Sequence, residues 1–271
     1  YLRALQKAGY TTYGVGKFHF NQGWPWETPS RQGHNLFEDK EKIKEYGFDH
    51  IWEASGKQLA ERNYCDYCKY LDDNGVLDAF RSYLASCGQN TNVAKDVNFT
   101  GGCFPFESRF YIDHVIYENA VKMLDAHHSN TPFFMLLSFC SPHAPFDPPA
   151  EYLDRVPYEE RDNFVGDIDE DTKKKMYRLR RAYKAMVLLV DDLIGKFIND
   201  LKQKGLYEDT VILFTADRGE MMGDHGLAQK SSYYWQSENV PLIIWDGEKT
   251  CKKYDCPVEL TDVTATILDF F

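Results

Sequence analysis

The feature that most constrains the fold is a long amphipathic segment followed closely by a short apolar one. Between Met176 and Gly205, apolar residues recur at spacings of three and four, the pattern of a helix with one buried face. Gly205 is a typical helix stop. Shortly after it, the run TVILF (210–214) is β-branched and apolar on both faces, as expected for a strand covered by helices on each side. The pattern predicts a helix-to-strand unit.

The same order of helix and strand occurs twice more. The segment 1–10 precedes TTYGVG (11–16), and the segment 112–128 precedes PFFMLLSF (132–139). Another apolar run, VPLIIW, and a last helical pattern, LTDVTATILDFF, follow the third unit. This alternation predicts an α/β fold, a doubly wound, mostly parallel sheet with helices on both faces. With 271 residues, 43% of them hydrophobic, we expect a single domain over 1–271.

Two segments interrupt this order. Residues 21–110 are rich in Trp, Tyr, Gly and Pro and lack sustained periodicity, and residues 150–175 are acidic and polar. We expect 21–110 to be an irregular insertion that forms a wall of the substrate pocket, with a plain surface insertion as the alternative.

Charge and apolar content argue against two classes of partner. The net charge of −11 argues against binding of nucleic acid through a general basic surface. With this overall charge, an anionic substrate needs a locally positive pocket. No apolar run approaches the roughly 20 residues that span a membrane. The sequence leaves both the cellular location and the oligomeric state of the protein open.

The seven cysteines do not have the spacing of a disulfide scaffold. Cys65 and Cys68 form a C-x-x-C that could be half of a zinc site with Cys87 and Cys103. The flanking spacings are loose and no histidine lies at ligand spacing, which favours reduced structural thiols.

Reactive side chains follow three of the predicted strands. Lys17 and His19 follow the first, His143 follows the second, and Asp217 and Arg218 follow the third. In open parallel sheets the binding crevice lies outside the carboxyl ends of the strands. We therefore expect a site at this edge.

The residues at this edge suit transfer of a sulfuryl or phosphoryl group. Lys17 and Lys230 supply fixed positive charge for an oxyanion, and Asp217 suits Ca²⁺ or Mg²⁺. His19 and His143 can move protons near neutral pH. Taken singly, each residue also has a plainer interpretation as a surface lysine, a hydrogen-bonded turn histidine or a capping aspartate.

Several ordered motifs resemble those of the sulfatase family within the alkaline-phosphatase-like superfamily. They are GYTTYGVGKFH (9–19), PFFMLLSFCSPHAPFDPP, and a stretch from YKAMVLL through GDHG to VPLIIW (183–245). The resemblance covers roughly half of the chain and leaves 21–110 unmatched. Within GDHG, a turn that closes on itself remains the favoured interpretation of Asp224 and His225.

The resemblance implies a calcium-dependent hydrolase of aryl or carbohydrate sulfate esters that uses a formylglycine nucleophile, with magnesium as an alternative ion. By that similarity Lys17 and Lys230 hold sulfate oxygens. His19 lies beside the formylglycine and helps to eliminate sulfate, and His143 is the general acid to the leaving alcohol. Asp217 binds the metal. The implied partner is a small-molecule or glycan sulfate ester.

The family's nucleophile motif, C-x-P-S-R or its serine form, is absent. Cys103 begins CFPFE and Cys140 begins CSPHA, and neither run has the arginine. The paired acidic metal ligands expected after the first strand are missing too. We therefore expect the chain to lack an N-terminal segment of roughly a hundred residues and, as written, not to turn over substrate.

Arg218 is a second departure, because the family has Asn or His directly after the metal aspartate. A guanidinium has no lone pair and stays protonated, so it cannot bind a cation. Either the metal site loses a ligand, or the guanidinium takes the metal's place against the anion. Two alternatives to a sulfatase stay open: a phosphodiester or phosphonate monoester hydrolase of the same superfamily, and a protein that binds a sulfated ligand without hydrolysing it.

Overall fold

The structure, a computed structural model, describes residues 1–20, 34–87, 101–128, 130–230, 232–247 and 252–270. Short 3-10 helices lie at Leu59–Glu61, Ser108–Phe110 and Asp224–Gly226. The α-helices and strands of the described part follow in chain order: α1 Leu2–Lys7, β1 Thr11–Lys17, α2 Lys40–Lys44, β2 His50–Ala54, α3 Asp66–Asp73, α4 Leu77–Ser86, α5 Ile112–Ala126, β3 Phe133–Ser138, α6 Ala150–Leu153, α7 Glu170–Gln203, β4 Ile212–Thr215, α8 Trp235–Glu238, β5 Leu242–Trp245 and α9 Leu260–Asp269.

A parallel sheet with the strand order β2-β1-β3 forms the centre of the molecule. The middle strand, β1, pairs with β2 from Tyr13 to Lys17 and with β3 from Thr11 to Gly16. Its interior residues are buried, which agrees with a strand that has neighbours on both edges. The predicted α/β class with a mostly parallel sheet and helices is confirmed.

The strands β4 and β5 form a separate antiparallel pair in the described part of the chain. The expectation that the run TVILF is covered on both faces is wrong, because the β4 residue Phe214 is 37% exposed. On β5, Ile243 is 60% and Ile244 is 41% exposed. An apolar sequence run was therefore not a sufficient sign of two covered faces here.

Helix α5 packs against β1, β2 and α7, and both helices supply buried residues to the main core cluster. Helix α7 is 34 residues long and begins earlier than its apolar periodicity does, because Asp169 accepts a hydrogen bond from the Thr172 backbone amide. It ends before Gly205, which has a φ of 69°. In the described residues, no helix has the length and apolar character needed to cross a membrane.

The interpretation of residues 21–110 as an irregular insertion needs correction. Residues 21–33 and 88–100 lie outside the described residues, but 34–87 contain β2 together with α2, α3 and α4. Strand β2 belongs to the central sheet. The segment 150–175 likewise contains α6 and the start of α7.

Strands β1 and β3 lie close together at Gly16, which pairs with Ser138 in the sheet register. A Cβ atom at Gly16 would lie 1.9 Å from the Ser138 carbonyl oxygen, and Gly16 has a φ of 117°. Only glycine fits both the close contact and the backbone conformation. Gly16, which has both this close contact and this backbone conformation, directly precedes Lys17.

We expect Gly16→Ala to lower the free energy of unfolding by about 3 kcal/mol or more, because the clash is with backbone and no side-chain rotation relieves it. Gly195→Ala in α7 is the matched control. Its added Cβ meets nothing within 4 Å, so it should stabilise by ~0.5–1 kcal/mol. Urea unfolding measures both, and equal stability of the two variants would contradict the close approach.

Candidate active site

A pocket lies at the carboxyl ends of the parallel strands. Lys17 ends β1 and His19 follows two residues later. Ser55 directly follows β2, and Cys140 follows β3 by two residues. Residues that follow all three parallel strands therefore lie at the same edge of the sheet. The lining consists of Lys17, His19, Ser55, Gly56, Lys57, Gln58, Leu59, Cys140, His143 and Lys230.

The loop after β3 carries His143, and Asp113 holds its start. Asp113 is fully buried in the first turn of α5, where its Oδ1 accepts a hydrogen bond from the Cys140 backbone amide at 2.6 Å. The Ser141 hydroxyl donates to Asp113 Oδ2, and the Ser141 amide lies 3.2 Å from both carboxylate oxygens. One buried carboxylate therefore ties the loop to a helix of the core.

Lys57 holds the far end of the same loop. Its Nζ donates to Asp147 Oδ1 at 2.5 Å and to the Pro145 carbonyl at 2.7 Å, and both side chains of the ion pair are almost completely buried. It also donates to the Tyr111 hydroxyl at 3.1 Å. Tyr83 donates to the second oxygen of Asp147 at 2.8 Å. The His143 loop is thus fixed on both sides.

His143 is neutral in this environment. Its Nδ1 lies 2.8 Å from the Ala144 carbonyl oxygen, which can only accept, so Nδ1 carries the hydrogen and Nε2 keeps its lone pair. Burial, and then the positive charge of Lys17, lower the pKa of His143 to about 2. In this state the ring can accept a hydrogen bond at Nε2.

Positive charge dominates the pocket. Partial burial lowers the pKa of His19, and the charges of Lys17, Lys230 and Arg218 lower it further, whereas Asp217 raises it. The pKa of Lys230 is lowered by burial and then by Arg218 and Lys17. Such a concentration of like charge is stabilised by a bound anion.

Asp217 and Arg218 lie in the loop after β4, close enough for their charges to act on the pocket histidine and on Lys230. The Nη1 atom of Arg218 donates to the Gly219 carbonyl at 3.1 Å and lies 3.9 Å from Glu220 Oε2. Its Nε is buried without a hydrogen-bond partner in the described part of the structure. The guanidinium therefore keeps an unused donor.

The metal role of Asp217 stays a prediction in the described part of the chain. No group of three or more His, Cys, Asp or Glu side chains among them could hold a metal ion. Near the predicted Asp217 site the neighbouring charges of Arg218 and Lys230 are positive, and these repel a cation. Asp217 alone does not supply the six to eight oxygen ligands of calcium.

The zinc alternative for the cysteines is wrong. Cys65 and Cys68 are buried side by side, whereas Cys87 is half-buried and Cys103 is exposed. All four are described, and no metal-binding group was found that includes them. All four are free thiols, as the plainer interpretation expects.

The GDHG loop is structural, as its sequence favours. Asp224 Oδ1 accepts from Arg180 of α7 at 2.9 Å, and Oδ2 accepts from Gln236 at 2.8 Å. The His225 ring stacks on Tyr234, with ring centroids 3.9 Å apart. The loop is closed on itself and fastened to α7.

The sequence pattern placed Lys17, His19, His143 and Lys230 at this edge, and the structure brings these four to one pocket. It did not identify Ser55, Lys57, Asp113 or Asp147. The available signal for Ser55 and Lys57 was the short run HIWEA before them, a strand with polar residues in a segment that lacked periodicity. Nothing in the pattern signals the Lys57–Asp147 pair, whose members are 90 positions apart.

The fold is α/β with a cationic pocket at its strand ends, and comparison with known proteins gives the family. The sequence profile of the Sulfatase family matches residues 2–271, and the chain belongs to that family. The parallel sheet and its helices agree with the alkaline-phosphatase-like fold that the motifs imply.

Two curated relatives match almost the entire chain. An arylsulfatase of Clostridium perfringens (strain 13 / Type A) is 28% identical, over 98% of this chain and 57% of the relative. A choline-sulfatase of Rhizobium meliloti (strain 1021) is 26% identical, over 99% of this chain and 51% of the relative. The chain thus spans about half the length of these relatives.

A solved structure supports the fold. The phosphonate monoester hydrolase of Agrobacterium radiobacter superposes with a TM-score of 0.61 at 17% identity, covering 91% of this chain and 52% of that chain. At this identity the likeness concerns the fold alone.

We expect Lys57→Met to lower the free energy of unfolding by about 3–5 kcal/mol, because it leaves the Asp147 carboxylate buried without its cation. The double variant Lys57→Met/Asp147→Asn should recover part of that loss. Lys42→Met is the control, since its pair with Asp39 is at the surface and is worth less than about 1 kcal/mol. Chemical denaturation of the three variants checks this, and a Lys57→Met protein as stable as the control would contradict the anchoring role.

Proposed function

We propose that this chain supplies the anion-binding and leaving-group side of a sulfate ester hydrolase site. The observation that carries the proposal is the convergence of Lys17, His19, His143 and Lys230, which come from distant parts of the sequence, on one cationic pocket. A tetrahedral dianionic or monoanionic group offsets the mutual repulsion of Lys17 and Lys230. Membership of the Sulfatase family makes a sulfuryl group the favoured occupant.

The side chains divide into binding and proton-transfer groups. Lys17 and Lys230 would hold sulfate oxygens, since ammonium groups donate to oxyanions without directional restriction. His19 and His143 would serve the proton transfers. In the free protein His143 is an acceptor at Nε2, so a role as acid to the leaving alcohol requires the bound anion to raise its pKa first.

Formylglycine and calcium remain predictions from the family resemblance. The family's nucleophile run is absent from the sequence, and the described residues offer Asp217 without a complete set of metal ligands. No step is therefore assigned to a metal through these residues. If the working protein uses such an ion, Asp217 is the carboxylate in this loop that would contact it.

The alcohol part of the substrate is limited to a broad class. The two relatives are an arylsulfatase and a choline-sulfatase, whose names share only the sulfate ester. We therefore propose small-molecule or glycan sulfate esters. A phosphonate monoester or phosphodiester hydrolase is the second candidate, since the phosphonate hydrolase fold is similar and the pocket suits any tetrahedral anion.

A comparison of substrates tests the proposal. The protein, produced from its full natural reading frame, is assayed with nitrophenyl sulfate and with bis(nitrophenyl) phosphate. Faster hydrolysis of the sulfate, abolished by Lys17→Ala and kept by Lys42→Ala, supports the sulfatase. Faster hydrolysis of the phosphodiester indicates the second candidate. Binding of inorganic sulfate without turnover of either ester indicates a binding protein.

Sulfate binding should strengthen as the pH falls from about 8 to 6. Burial and the nearby positive charges hold the pKa of His19 below its usual value near 6.5, and a bound anion raises that pKa, so binding takes up protons. Calorimetry in two buffers of different ionisation enthalpy measures the uptake.

His19→Gln should remove most of this proton uptake and flatten the pH dependence, whereas His50→Gln, on the edge strand β2, should not. An unchanged uptake in His19→Gln would show that His19 is not the group that titrates.

Arg218→Asn is expected to raise Ca²⁺ affinity at least severalfold, because a neutral oxygen ligand replaces a fixed positive charge beside Asp217. Under the competing interpretation the guanidinium contacts the anion directly, so the substitution would weaken sulfate binding and leave Ca²⁺ binding absent. Calorimetry with Ca²⁺, with and without sulfate, separates the two. Tight Ca²⁺ binding by the parent protein with no gain in the variant would refute an impaired metal site.

A further inference from the structure

Two thiols outside the anion site lie in direct contact beneath the pocket. Cys65 and Cys68 flank the first turn of α3, and their Sγ atoms are 3.5 Å apart. Both side chains are fully buried. Neither the family resemblance nor the proposed hydrolysis uses them.

The surroundings of Cys65 favour its thiolate. Cys65 is the N-cap residue of α3, and its Sγ accepts a hydrogen bond from the Ser55 backbone amide at 3.4 Å. The Ser55 hydroxyl lies 3.6 Å away. Burial alone raises the pKa of Cys65, but the hydrogen bonds from Cys68 and Ser55 lower it to about 7.

Cys68 and the buried acid Glu53 also affect the charge state of Cys65. The contact with Cys65 and burial raise the pKa of Cys68, so it keeps its proton, and its Sγ also donates to the Asn63 carbonyl at 3.3 Å. Glu53 is fully buried, and burial, followed by the charges of Cys65 and Asp66, raises its pKa to about 8. At neutral pH Glu53 is therefore protonated and does not repel the thiolate.

We propose that Cys65 and Cys68 form a dithiol that a small-molecule disulfide oxidises reversibly to an intramolecular disulfide, and that this change alters the pocket edge through Ser55. The Cys65 thiolate attacks one sulfur of the oxidant and releases one thiolate, which takes up a proton from water. Cys68 then attacks Cys65 in the mixed disulfide, loses its proton to the departing thiolate and releases the second thiol. Two cysteine thiols are oxidised and one disulfide is reduced.

Ser55 connects this pair to the anion site. It lines the pocket and also contacts Cys65 through its amide and hydroxyl. A disulfide bond is about 2.05 Å long, so the two sulfurs must approach by about 1.5 Å. Movement of the Cys65 Sγ changes its contacts with the amide and hydroxyl of Ser55, the residue directly before Gly56 and Lys57 in the pocket lining.

The first test maps the disulfide in the folded full chain. Protein equilibrated with excess oxidised glutathione and no denaturant is alkylated, digested and analysed by mass spectrometry. We expect a Cys65–Cys68 linkage that dithiothreitol removes, forming over hours because the buried sulfurs react only on local opening. Free Cys65 and Cys68 in a protein of unchanged circular dichroism, after alkylation under unfolding conditions, would overturn the proposal.

Matched variants assign the bond. Cys140 lies near enough to Cys65 for the charge of Cys65 to affect its pKa, so it is an alternative disulfide partner. The variant Cys140→Ala tests whether Cys65 pairs with Cys140 or with Cys68. The linkage should persist in Cys140→Ala and be absent from Cys65→Ser and Cys68→Ser. A Cys65–Cys140 linkage in the parent protein would also overturn the proposal.

The second test measures inorganic sulfate binding by the reduced and oxidised forms, and it depends on the proposed anion site. We expect the Kd to change at least threefold on oxidation in the parent protein and in Cys140→Ala, but not in Cys68→Ser. An equal Kd for both forms would refute the link to the pocket. Absence of sulfate binding in either form would instead refute the proposed function, while the mapped disulfide would still stand.

Discussion

The buried ion pair between Lys57 and Asp147 is the interaction on which the candidate site depends. It joins the residues after β2 to the loop after β3, and Asp113 fastens the other end of that loop. A buried pair of this kind contributes little net stability, because desolvation offsets much of the attraction. The pair instead fixes the position of the loop after β3, because the arrangement that joins the two charges also places His143 at the pocket.

The same pocket gathers charges of one sign, which is unfavourable without an occupant. Lys17, Lys230 and Arg218 all lower the pKa of the two histidines. The cationic cluster is tolerated because it lies at the ends of strands held by a hydrophobic core. Repulsion among these like charges favours binding of an anion over binding of a neutral molecule of the same shape.

The sequence predicted those parts of the fold that depend on a repeated local pattern. Helix α7 and strands β1 and β3 were found because each keeps one apolar face or a continuous apolar run. Strand β2 was missed because five residues with a histidine and a glutamate give no clear period. The lysines and histidines followed predicted strands and were identified, whereas Lys57 owes its role to a distant aspartate that no local pattern reveals.

Gly16 restricts how this site can change during evolution or engineering. The backbones of β1 and β3 touch there, so the spacing between Lys17 and the histidine loop is set by steric exclusion of any side chain. Libraries that seek a new substrate can therefore vary the residues around the pocket with this one position held constant. Substitution of Gly16 would push β1 and β3 apart and so increase the distance between Lys17 and the His143 loop. No change in a single neighbouring side chain could restore that distance, because the contact is between backbones.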